Sequence, residues 1–99
     1  MAEKRKHPRR RIKRPLFYFC ESDAPGQRGR IYYPGTVVDS SPGGLGLLTG
    51  HPHTCGERLW FEALGKLQPR IGDRPVAGIV RWLEKGDGQY RMGVELTGD

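Results

Sequence analysis

No stretch of this chain approaches the ~20 consecutive apolar residues that a membrane-spanning helix requires. The charged N-terminus also lacks the apolar segment of a secretory leader, so a cytoplasmic location without membrane contact is the expectation. Cysteine is scarce, with only Cys20 and Cys55. That excludes a disulfide framework, and two thiols in such a chain are expected to stay reduced, Cys20 as a small core residue. Hydrophobic residues make up 35% of the chain, and 15 Gly and 8 Pro interrupt it throughout, which excludes long apolar helices and favours short strands joined by turns. At 99 residues there is room for one small domain with a modest core.

Acidic residues are few at one end. Residues 1–14 hold eight Lys and Arg against Glu3, a net of +7, which leaves nine cations against ten acids, or −1, in residues 15–99. A near-neutral body with a basic arm points to an anionic partner engaged at one place. Residues 1–8 read as a flexible basic leader without periodicity, and residues 9–99 as the single domain.

Short apolar or alternating runs mark six strands. They are Leu16–Cys20, Ile31–Val38 (with Pro34 and Gly35 suggesting an edge or a bulge), Leu45–Thr49, Arg58–Ala63, Val76–Glu84 and Gln89–Leu96. Leu64 to Arg74 shows no helix, and no internal repeat is visible. The class is all-β, and six antiparallel strands with turn-rich connections favour a barrel or a sandwich.

The last two strands form a hairpin. A turn centred on Gly86 and Asp87 would set Leu83 against Tyr90, Trp82 against Arg91, Arg81 against Met92 and Ile79 against Val94. One face then holds Ala77, Ile79, Leu83, Tyr90, Met92, Val94 and Leu96, with Arg81 as its single charge, and is the expected core face. The other puts Trp82 beside Arg91 on the outer wall. That pair is either a cation–π contact with no further role or a stacking surface for a purine with a donor for its phosphate. A bulge would shift the register by one and reverse these faces.

Two short signatures carry chemistry: Arg10-x-x-x-Arg14 in the basic run, and Asp39-x-Ser41-x-x-Gly44 after a β-branched run. An arginine fork pairs bidentately with guanine O6 and N7, and a carboxylate accepts from guanine N1–H and N2–H₂ on another edge. Ser41 adds a short donor and acceptor, and Gly44, lacking a Cβ, lets backbone approach a flat ring. One guanine-bearing phosphodiester would satisfy both signatures.

Together with the VRWLEKGDGQYRMGVEL hairpin, this pair resembles the PilZ family, bacterial receptor domains for cyclic di-GMP whose pattern is R-x-x-x-R followed by [D/N]-x-S-x-x-G. The resemblance runs from about Arg9 to Leu96. It implies a six-stranded antiparallel barrel, with the C-terminal helix of many members absent or vestigial because the chain stops at Asp99. It implies cyclic di-GMP as ligand, with no further cofactor, held against the outer wall by Arg9, Arg10, Arg14, Asp39, Ser41, Gly44, Trp82 and Arg91. Family members with arginine at the position of Arg9 commonly take two intercalated dinucleotides; the other role for Arg9 is to raise local potential. The arm would fold onto the barrel when ligand binds and pass the signal to a downstream protein.

Other readings are weaker. His51, His53 and Cys55 alternate, but lack the spacing of a structural zinc site and read better as a polar loop. Asp39, Ser41 and either histidine supply the residue types of a hydrolytic triad without its nucleophile elbow, so no enzyme is expected. A barrel that binds single-stranded nucleic acid, stacking bases on Trp60, Trp82, Tyr32 and Tyr33, is the main alternative, and the −1 balance of the body argues against it. A protein-binding adaptor without ligand would not need both signatures intact.

Overall fold

The computed structural model describes residues 10–22, 25–26, 29–62, 64 and 74–97, with side chains from Ile12 onward. Six strands follow in order: β1 Arg10–Ser22, β2 Gly29–Ser41, β3 Gly44–Thr49, β4 Arg58–Phe61, β5 Val76–Lys85 and β6 Tyr90–Leu96. They pair antiparallel and close into a barrel in the order β1-β2-β3-β6-β5-β4, which leaves no sheet edge open. Among the described residues there is no α-helix, and no helix long and apolar enough to cross a membrane.

The interior follows from strand alternation. Tyr18, Val37, Leu45, Leu47, Leu59, Phe61, Leu64, Val76, Val80, Met92 and Val94 form the core, and Ile12, Leu16, Cys20, Tyr33, Leu83 and Leu96 pack against it. Both cysteines are free thiols.

Strand β1 begins earlier than the expected Leu16. Arg10 pairs with Ser40, Arg11 with Asp39 and Arg14 with Val37, so the arginine signature is the first turn-proximal part of a strand and not a free arm. Its charge hides this in the sequence, because the pairing partner lies some thirty residues away. The expected leader, residues 1–8, lies outside the described residues.

The hairpin register also differs. Lys85 pairs with Tyr90, Glu84 with Arg91, Leu83 with Met92 and Trp82 with Gly93, because the loop spans Gly86–Gln89, closed by the Gly86 N–H donating to Gln89 O at 2.8 Å, with Gly88 at φ +70°. This moves each pairing by two, so Trp82 and Arg91 stay on the outer wall, but Trp82 faces Gly93. Beyond it a bulge shifts the register between Val80 and Trp82. Val80 therefore enters the core opposite Val94, and Ile79 turns outward opposite Glu95, the reverse of the expected faces. Arg81, expected on the core face, is exposed and donates from Nε to Glu95 Oε1 at 2.5 Å.

The loop after β3 is not a plain polar loop. His53 is buried, and its Nε2 lies 2.7 Å from the Tyr18 hydroxyl, which donates to Thr49 Oγ1 at 2.7 Å. His53 Nδ1 is 3.2 Å from Glu57 Oε1, which also accepts from the Thr54 N–H at 3.0 Å. Burial pushes the Tyr18 hydroxyl up to about 12, and holds His53 below its usual range against the opposing pull of Glu57.

Candidate functional site

The outer wall over β2, β3, β6 and β5 is shaped by bulges. Val37 pairs with Leu47 and points into the core, while Asp39 pairs with Gly46 and Ser40 with Leu45. The register shift between Val37 and Asp39 breaks strict alternation: residues two apart would share a face, yet Val37 is inside and Asp39 outside. A second shift, between Arg11 and Arg14 on β1, follows the same distortion and brings Arg11 opposite Asp39. The bulge thus delivers a carboxylate to the wall at the point where the basic strand begins.

Asp39 lies low on this wall. Its carboxylate rests over Gly46, where an added Cβ would stand 2.5 Å from Oδ2. Arg91 Nη2 donates to Asp39 Oδ2 at 3.4 Å, from a side chain half exposed to solvent. Trp82, 39% exposed, lies over Gly93. Since Gly46 and Gly93 are themselves partners across β3 and β6, the carboxylate and the indole lie over neighbouring strands, each covering a buried glycine.

Ser41 and Gly44 close the β2–β3 turn as its last pair, with Pro42 and Gly43 between them. Gly44 has a structural reason to lack a side chain, since a Cβ there would meet Val94 O at 2.7 Å. Its expected role in admitting a ring is therefore unnecessary to explain the residue. Arg14 is half-buried, without an ion-pair partner among the described residues. Arg10 is placed by its strand pairing with Ser40, and Arg9 lies outside the described residues. The structure thus gathers Asp39, Trp82 and Arg91 on one wall, with the β2–β3 turn and the start of β1 at its margin. Sequence reasoning missed Gly46, Gly93 and Arg11. The Gly-x-Gly spacing of Gly44 and Gly46 was a visible signal, but the pairing with Gly93 was not.

The other candidate chemistries are dispersed. Asp39 is on the outer wall while His53 is bonded to Tyr18 within, so the residue types of a triad do not meet. His51 packs on Tyr33 with ring centroids 4.4 Å apart, and Cys55 is exposed. Among the described residues no three His, Cys, Asp or Glu side chains gather as metal ligands. The aromatics form no single stacking surface either: Tyr33 stacks on Tyr18 at 5.5 Å inside, whereas Trp60 and Tyr32 flank Phe19 on another part of the wall. A groove of about 550 Å³ bordered by Pro15, Phe17, Thr36, Leu48 and Gln89 has no charged side chain in its lining, and so no cation for a phosphodiester.

Solved structures share this architecture at low identity. The complex of K. pneumonia MrkH with c-di-GMP matches at 13% identity and TM-score 0.66, covering 98% of this chain and 45% of that one. The Bacillus subtilis inhibitor of motility, MotI/DgrA, matches at 15% and 0.61, covering 97% and 44%. The PilZ domain of Escherichia coli YcgR with c-di-GMP matches at 16% and 0.61, covering 96% and 79%. The chain thus spans less than half the length of the first two, and the likeness is one of fold. No curated protein matches the sequence. The family model for the PilZ domain, however, matches residues 3–99, and the six-stranded closed barrel is the fold of its solved relatives: the chain belongs to the PilZ domain family.

Proposed function

We propose that this chain is a receptor for cyclic di-GMP, acting by binding and not by catalysis. The observation that carries the reading is the β2 bulge, which places Asp39 of the Asp39-x-Ser41-x-x-Gly44 turn on the outer wall of a PilZ barrel, 3.4 Å from Arg91 and on the same row as Trp82. Two of the similar structures hold c-di-GMP. In this reading Asp39 accepts from guanine N1–H and N2–H₂, Arg10 and Arg14 meet O6, N7 and phosphate, and Ser41 adds a hydrogen bond at the turn. Trp82 stacks on a base and Arg91 reaches a phosphate. Arg9, next to the signature in sequence, supplies the cation for a second, intercalated dinucleotide.

In this reading the basic N-terminal arm, of which residues 10–14 are strand, passes on the signal when its cations engage the ligand. Those cations gain charge-assisted contacts when two phosphates arrive. A downstream protein in the cytoplasm reads the change. Titration calorimetry with cyclic di-GMP, GTP and a short single-stranded oligonucleotide tests the reading. Saturable binding of the first, with little from the other two, is expected; binding of the oligonucleotide alone would replace the receptor by a nucleic-acid barrel.

A further inference from the structure

Four residues form one row across four strands of the outer wall. Asp39 on β2 pairs with Gly46 on β3, Gly46 with Gly93 on β6, and Gly93 with Trp82 on β5. Neither glycine has a positive φ, so backbone conformation does not demand glycine at either position. Space does. A Cβ on Gly46 would meet the Asp39 carboxylate, at 2.8 Å from Cγ and from Oδ1. A Cβ on Gly93 would fall inside the Trp82 indole, against Nε1, Cε2 and Cδ1.

Glycines elsewhere in the barrel make room for core side chains. Gly35 faces the Tyr18 ring and Gly78 faces Val94 Cγ1, and both neighbours are fully or nearly buried. The fold needs those two to stay small. Gly46 and Gly93 make room for a carboxylate and a part-exposed indole, neither of which the core requires. Neither group fills the barrel interior, so the missing side chains beneath them serve their position on the wall.

We propose that Gly46 and Gly93 are positioning residues of the ligand site. They let the Asp39 carboxylate and the Trp82 indole lie low, over neighbouring strands and against the backbone, and so set the depth at which a guanine ring docks. This inference rests on the cyclic di-GMP reading. A purine stacked on the indole can present N1–H and N2–H₂ to the carboxylate only while both stay low; raising either by one methyl group breaks the pair of contacts.

The test compares Gly93→Ala, Trp82→Ala and the double variant by cyclic di-GMP calorimetry, with melting to confirm folding. Acrylamide quenching in a Trp60→Phe background reports the Trp82 indole without ligand. In Gly93→Ala the indole becomes more accessible, and affinity falls about 5- to 150-fold, the range expected for a lost base–aromatic stack. The double variant binds no worse than Trp82→Ala, because Gly93 acts through the ring. Unchanged quenching, wild-type affinity in Gly93→Ala, or losses that multiply in the double variant would each overturn the inference while leaving the receptor reading intact. A wild-type chain that ignores cyclic di-GMP overturns both. Should Gly93→Ala fail to fold, the double variant removes the clashing ring and should fold; a double variant still unfolded also refutes the proposal.

Discussion

Replacing Asp39 by Asn separates ligand recognition from stability, because the two roles of this side chain differ in size. The carboxylate is nearly buried, yet the Arg91 side chain that pairs with it is half exposed. An ion pair with an exposed arm contributes about 0–1 kcal/mol, and a local turn bond about 1 kcal/mol, so these two contacts together are worth about 1–2 kcal/mol of folding. Recognition loses more. The amide keeps one acceptor oxygen and turns a donor NH₂ towards guanine N–H groups, removing a charge-assisted bond of about 1.5–3 kcal/mol. That corresponds to a rise of about 10- to 150-fold in the Kd for cyclic di-GMP. Calorimetry and urea melts on the same samples provide the comparison. Unchanged affinity, or an affinity loss no larger than the loss of folded protein, would refute the role given to Asp39.

The Arg10→Ala/Arg14→Ala double variant should bind cyclic di-GMP at least 5- to 150-fold more weakly, on the scale of about 1–3 kcal/mol per bidentate contact; superimposable titration curves would remove the arginines from the site. Tyr18→Phe should cost roughly 2–3 kcal/mol of stability, since it strips the buried hydroxyl from both Thr49 and His53, and a shift in Tm below roughly 4 °C would contradict that. Burial holds His53 below its usual range in the folded state, so the unfolded chain takes up the proton first. Stability should therefore be level above about pH 6.5 and fall as pH drops through that value, a slope that His53→Gln should flatten in urea midpoints measured between pH 7.5 and 5.5.

Much of the fold was legible because it depends on nearest neighbours along the chain. Alternation at Leu45, Leu47 and Thr49 and at Leu59 and Phe61 gave strands that the structure keeps. What required distant partners was hidden. Arg10–Arg14 reads as a tail by charge and becomes strand only because Val37–Ser40 lies beside it. His53 reads as loop, and its burial is set by Tyr18, 35 positions earlier in the chain. The hairpin was misplaced by two pairings because Gly88, and not Gly86 and Asp87 alone, shapes its loop. At the candidate site the motif residues were visible, whereas the glycine pair was not, since Gly46 and Gly93 are neighbours only through the β3–β6 ladder.

Val38 is the one residue of its stretch of β2 that has no partner on β3, since Val37, Asp39 and Ser40 oppose the consecutive residues Leu47, Gly46 and Leu45. A chain without Val38 would keep all three pairings and alternate regularly, with Val37 and Ser40 inward and Asp39 outward. What it would lose is the bend and extra twist that the unpaired residue gives to β2. The bulge therefore absorbs Val38 and tilts the Asp39 carboxylate without changing the face it would have in the shorter chain. A one-residue deletion at this point isolates the tilt: every motif residue keeps its side of the wall, so any change in ligand affinity measures the angle alone.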